Sequence, residues 1–260
     1  MTNLEFSNEF DILYNSIATN AAPSIDLYEK SVYLTKAQEE LVKNYFNPKG
    51  NKYQDGFENS SKRRNDLSQL IKGYNSTFSS QINDNFKQYA ISDQSRFFKI
   101  PKSVFLILQE SGKISCSNSI SLTDEEIESQ TRKVSVRPET YDEYNVIKNN
   151  PFKKADKDKI IRLDYSSEGL DYIVVELINP FNIIEYNIRY VKYPSPIILG
   201  DFNTAFSGES LSINGESSST SCKLNDSMHR EILDRAVELA LADYRPELLP
   251  VKTQMNSRNE

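Results

Sequence analysis

Apolar positions at the start of the chain recur at helical intervals. Phe6, Phe10, Leu13, Tyr14 and Ile17 follow Thr2 and Glu5, a pair with capping-box spacing, and "TNAAP" ends the run at Pro23. This predicts a first amphipathic helix. Thr35 and Gln38 repeat the spacing ahead of Leu41, Val42, Tyr45 and Phe46, which predicts a second helix in "LTKAQEELVKNYFNP" with a stop at Asn47-Pro48. "KGNKYQDG" then reads as an exposed loop, and "FENSSKRRNDLSQLI" as a third helix carrying Phe57, Leu67, Leu70 and Ile71.

Near residue 100 the period shortens to that of strands, first in "SVFLILQESGKISC" and then in "RKVSVRP", where Val134 and Val136 alternate with polar neighbours. A short helix in "TYDEYNVIKNN" interrupts them, with Tyr141, Tyr144 and Ile147 or Val146 inward. Three further runs, 160–165, 172–178 and 183–191, predict a three-strand meander. In the last, Ile184, Tyr186, Ile188 and Tyr190 share one face, opposite Glu185, Asn187 and Arg189. "KYPSPIIL" leaves the sheet as an extended crossover, because its two prolines exclude a central strand.

The last pattern is "MHREILDRAVELALADY", capped by Asp226 or Ser227 and stopped by Arg245-Pro246. Ile232, Leu233, Ala236, Val237, Leu239, Ala240 and Leu241 cover more than half of its circumference, so both faces are expected to pack. Helices, then mostly antiparallel strands, then a packing helix make an α+β fold. The expected regions are a helical one with an extended arm over 1–99, a β core with a short helix over 100–199, and a loop with the C-terminal helix over 200–260, forming one unit with the core. Residues 47–60 and 216–221 are expected to order only on assembly.

The composition is wetter than that of an average globule, with 38% hydrophobic residues and 26% charged. Extended segments or a large polar interface follow from it. A net charge of -6 is the wrong sign for general nucleic-acid binding. Cys116 and Cys222 form no CxxC pair, and read as free thiols of a reducing compartment. No apolar run approaches the ~20 residues of a membrane span, and the start resembles no signal peptide, so a soluble cytoplasmic product is expected.

Catalytic patterns are sparse. There is no HExxH, GxSxG, Walker loop or GxGxxG, and "SGK" at 111–113 reads as a hairpin turn. Thr123 and Glu126 explain "LTDEEIES" as a helix cap more simply than as a metal site. His229, the single histidine, falls in the first turn of its helix, where the macrodipole disfavours imidazolium. It is expected at a solvent-facing or intersubunit position, not in catalysis. Lys62-Arg63-Arg64 and the lysines from Lys148 to Lys159 remain as basic clusters.

Four phrases taken in order carry a resemblance: "YEKSVYLTKAQEELVKNYFNP", "VSVRPETYDEYNVIKNNPFKK", "YNIRYVKYPSPIIL" and "MHREILDRAVELALADYRPEL". Together they resemble a family of virion structural proteins of crAss-like phages infecting gut Bacteroidales, ring-forming proteins of the neck and short tail. The resemblance spans nearly the whole chain. It implies no catalytic residue, metal or cofactor. It implies a subunit repeated twelvefold around the portal axis, contacting itself, the portal protein or adjacent ring proteins, with DNA passing the lumen unbound and no membrane partner. On that basis the N-terminal segment and the "KYPSPIIL" arm reach neighbouring subunits, and the expected intersubunit contacts are Leu233, Ala236, Val237, Ala240, Pro194, Pro196, Ile197, Lys153 and Lys154. An assembly factor absent from the virion and a DNA-processing enzyme are the alternatives.

Overall fold

The computed structural model describes residues 1–18, 24–46, 61–115, 131–165, 169–202, 211–244, 246 and 250. They form two compact units: unit 1 holds Met1–Leu70 with Pro194–Glu260, and unit 2 holds Ile71–Tyr193. The C-terminal helix thus groups with the N-terminal helices, and the strand-forming unit begins at Ile71 rather than near residue 100.

Unit 1 is built on α1 (Asn3–Ala18), α2 (Leu27–Phe46), the short α3 (Ser61–Asp66) and α6 (Asp226–Tyr244). The Thr2–Glu5 box forms reciprocally at 2.7 and 3.3 Å. Phe6, Phe10 and Tyr14 are the buried stripe of α1, and α6 packs along α2 and against α1. The second helix starts earlier than its Thr35–Gln38 pair suggests. Its box is Asp26 with Glu29, at 2.8 and 3.2 Å, and Thr35 and Gln38 lie inside the helix. The third helix ends at Asp66, and Ile71 opens a strand instead of closing the helix.

Unit 2 is one seven-stranded sheet in the order β1-β7-β3-β4-β5-β6-β2. The strands are β1 (Ile71–Thr77), β2 (Ser95–Pro101), β3 (Val104–Ser115), β4 (Thr131–Pro138), β5 (Lys159–Tyr165), β6 (Tyr172–Ile178) and β7 (Asn182–Lys192). Every ladder is antiparallel except β4–β5, whose parallel pairing requires a crossover. The short helix predicted between those strands, α5 (Tyr141–Ile147), supplies it, with Thr140 capping the Glu143 amide at 3.2 Å. The meander is corrected in part. β5 and β6 pair as expected, but β7 pairs with β1 and β3 and not with β6.

The sheet curls so that its edges approach. Phe98 of β2 lies 6.4 Å from Phe78, just beyond β1, and 6.2 Å from Tyr186 of β7. Its concave side gathers Phe98, Ile100, Ile114, Val134, Ile160, Val175, Leu177, Tyr186 and Ile188 into a single core. Gly112 explains why "SGK" is not a turn. It sits inside β3, where a Cβ would stand 2.4 Å from Ile160 Cδ1, so the missing side chain makes room for a core residue of β5. On the convex side α5 covers Ile161, Leu163 and Ile178, and α4 (Ser80–Phe86) covers Phe97 and Val174.

Candidate functional site

Three arrangements in the molecule hold polar groups in defined places. The first is in unit 1, where "YPSPIIL" lies extended against α2. Ser31, Thr35 and Gln38 follow one another at helical spacing along one stripe and are all buried. Gln38 Nε2 donates to Ser195 O at 2.8 Å, Thr35 Oγ1 both donates to Ile197 O and accepts from Ile197 N at 3.3 and 3.1 Å, and Ser31 Oγ accepts from Leu199 N at 3.0 Å. The helix thereby acts as a substitute strand edge for a segment whose prolines keep it out of a sheet.

The other side of the same segment bonds to residues 219 and 220. Ile198 and Thr220 exchange both backbone hydrogen bonds at 3.0 Å, and Asp201 accepts from Ser219 N at 2.6 Å. The serine-rich stretch 216–221 is therefore ordered within the single chain. Pro194, Pro196 and Ile197 are buried here, and the arm does not extend outward. Leu233, Ala236, Val237 and Ala240 are likewise buried inside unit 1, where α1 and α2 already take up the apolar circumference of α6. Their surface is used within the subunit.

His229 is buried too, at 3% exposure, so the solvent-facing or intersubunit position expected for it is corrected. Its Nε2 lies 3.1 Å from the Leu224 carbonyl, its Nδ1 lies 2.7 Å from the Met1 amino group and 3.2 Å from Asp226, and its ring packs against Phe6. A carbonyl can only accept, so Nε2 carries the proton and Nδ1 faces the ammonium as acceptor. Burial, joined by that nearby positive charge, holds the imidazole below its ordinary pKa. The ring is a neutral structural link. Burial likewise pushes the Cys222 thiol up to about 11, which leaves it protonated beside Gln38 Oε1.

The second arrangement lies within unit 2. Tyr186 donates to Glu110 Oε2 at 2.7 Å, and Arg162 Nε reaches the same oxygen at 3.1 Å while its Nη1 contacts Asp164 at 3.1 Å. Glu110 and Arg162 side chains are nearly sealed from water. Burial raises the Glu110 pKa, and Arg162 and Tyr186 act in the opposite direction. Nothing else titratable converges there in a way that offers a nucleophile or a metal, and among the described residues no group of three or more His, Cys, Asp or Glu could hold an ion.

The third arrangement is a surface. Helices α4 and α5 cover one part of the curled sheet, and a polar face crosses β1, β7, β3 and β4. Registered pairing sets its side chains in rows: Thr77, Glu185, Lys113 and Lys133 in one, Asn75, Asn187, Ser111 and Ser135 in the next, then Gly73, Arg189 and Gln109. All of these except Thr77 and Ser135 line a recess of about 870 Å³. The alternation of β7 predicted this polar face, but which strands would extend it was not readable.

Comparison with known proteins says which kind of protein carries these features. Residues 1–248 match the family described as phage tail ring protein 3/4. The chain belongs to that family. It is 37% identical over 258 residues to "Ring protein 4/5" of Bacteroides phage crAss001, covering 98% of each chain. It is 34% identical over 265 residues to "Ring protein 3" of the same phage, covering all of both. The protein is thus a tail ring protein of a crAss-like phage, a virion structural component, as the four phrases suggested. For such a ring protein the exposed surface is where partners must be sought. Lys153 and Lys154 are exposed after α5. Arg63 falls outside the described side chains, as "LTDEEIES" falls outside the described residues. No helix among the described residues is long and apolar enough to cross a membrane.

Proposed function

We propose that the protein assembles as a closed homo-oligomeric ring, twelvefold about the portal axis, that joins the portal or an adjacent ring to the rest of the short tail and surrounds the DNA conduit. The observation that carries this reading is the polar face of unit 2, four strands wide and covered by no helix among the described residues. A head-to-tail contact between copies closes a ring when its rotation closes. Lys113, Lys133 and Arg189 outnumber Glu185 on that face, so it is assigned to protein and not to passing DNA, which a basic lumen would retain. The overall charge of -6 suits a conduit that repels the genome.

No catalytic step is assigned. Light scattering of the purified full chain, with and without the portal protein of the same phage, tests the proposal. A large closed oligomer, alone or only with portal, supports it. A monomer indifferent to portal, in a chain absent from purified particles, transfers the weight to the assembly-factor reading.

A further inference from the structure

Among the described residues the most exposed large hydrophobic side chains are Phe152 at 88%, Val146 at 77%, Leu4 at 71% and Ile12 at 66%. They fall into two clusters, one with lysines around Phe152 and one with carboxylates along α1. Val146 and Phe152 belong to α5 and the turn after it; Lys148, Lys153 and Lys154 lie around Phe152 in sequence, whereas Asp142 and Glu143 precede Val146 in the first turn of α5. Leu4 and Ile12 share one face of α1, two helical turns apart, and every charged residue of that helix is acidic: Glu5, Glu9 and Asp11. Tyr144 and Ile147 already anchor α5 on the sheet, and Phe6, Phe10 and Tyr14 already anchor α1, so neither exposed set is needed for folding.

We infer that these two patches are the two halves of one contact between copies: the Phe152 and Val146 side of one chain, with Lys153 and Lys154 beside Phe152, seats on the Leu4–Ile12 strip of the next, alongside Glu5 and Glu9. Charge complementarity selects the occupant. A second copy of this chain supplies both an apolar surface to match and the opposite sign around it. Because the two halves differ, the contact is heterologous and propagates around a ring, each subunit being held on both sides. This rests on the ring reading above and gives it an address.

The test uses the full chain with Cys116→Ser and Cys222→Ser, carrying Ile12→Cys and Phe152→Cys, assembled under the conditions where light scattering finds the oligomer and treated with a short bis-maleimide. A denaturing gel should show a ladder of multimers, whereas each single-cysteine chain should give none. Separately, Glu5→Lys/Glu9→Lys and Lys153→Glu/Lys154→Glu should each weaken self-association by about tenfold or more, and all four changes in one chain should restore it. An intact oligomer with no ladder and no response to charge reversal overturns the contact and leaves the ring reading standing. A chain that forms no oligomer with or without portal overturns both.

Discussion

Two buried polar arrangements, one in each unit, are made of different kinds of group, and the difference shows what each is organised to hold. In unit 1 the buried stripe of α2 that meets the extended segment is neutral, two hydroxyls and an amide bonded to backbone groups that no strand pairs, while Lys30 of the same helix is buried against Asp11. In unit 2 the arrangement is built on charge: Glu110 accepts from Tyr186 and is ion-paired with Arg162, across three strands. A neutral hydroxyl loses little on leaving water if one hydrogen bond replaces what it had, whereas a buried ion is tolerable only with its counter-ion present. The extended segment of unit 1 therefore rests on several modest bonds, and the Glu110 centre of unit 2 on one pair.

The largest effect should come from breaking that pair. Arg162→Met leaves the Glu110 carboxylate buried without its cation, and should destabilise unit 2 by about 3–5 kcal/mol in chemical denaturation at neutral pH. The penalty should shrink as pH falls, because Glu110, its pKa already raised by burial, then takes up a proton. Adding Glu110→Leu should recover most of the loss. A single variant as stable as the parent would mean the pair contributes nothing and would sink the comparison.

Next come the small residues of α6. Ala236→Leu or Ala240→Leu inserts methylenes into a site with no exposure, and should cost about 1–3 kcal/mol by overpacking inside the subunit. The melting of the monomer should drop. Were the subunit unaffected and only assembly lost, these alanines would be at an interface after all. Thr35→Val, nearly isosteric, removes both bonds to Ile197 and should cost about 1–2 kcal/mol, read as faster hydrogen exchange at the Ile197 and Ile198 amides. Unchanged exchange there would remove α2 as the support of the extended segment.

The legibility of the sequence follows the same division. Helices α1, α2 and α6 announced themselves because an amphipathic period is a local signal, and the Thr2–Glu5 box sits where it was read. Thr35 and Gln38 misled for a physical reason: a three-residue spacing marks a cap at a helix start, yet inside a helix the same spacing merely places two side chains on one face. Strand segments were legible from alternation, but not the β7–β3 pairing or the parallel β4–β5 step, since period two says which face a residue takes and nothing about its neighbour. The apolar excess of α6 was real and its partner misjudged, because a pattern cannot distinguish a helix buried by its own chain from one buried by another.

The smallest predicted effect concerns His229, and it is a slope instead of an offset. As pH falls below about 6.5, the ordinary value, the unfolded chain gains a proton on this ring while the folded chain resists it. The unfolded state then binds more protons, so stability present above that pH is lost through the window down to the lowered folded value. Two groups face the ring with opposite influence, the Met1 ammonium and the Asp226 carboxylate, and burial with the ammonium prevails. Glu110, in the other unit, contributes with the contrary sign, since its raised pKa makes the folded state the better proton acceptor. Denaturation alone would blend the two. Because the chain has a single histidine, its ring protons in an NMR titration report one midpoint without ambiguity. A folded midpoint below 6.5, with the slope abolished by His229→Phe, would establish a neutral imidazole as the link between the chain start and the Leu224 carbonyl. A midpoint at or above 6.5 would mean that Asp226 outweighs burial, and that the ring is a further buried charge of unit 1 beside Lys30.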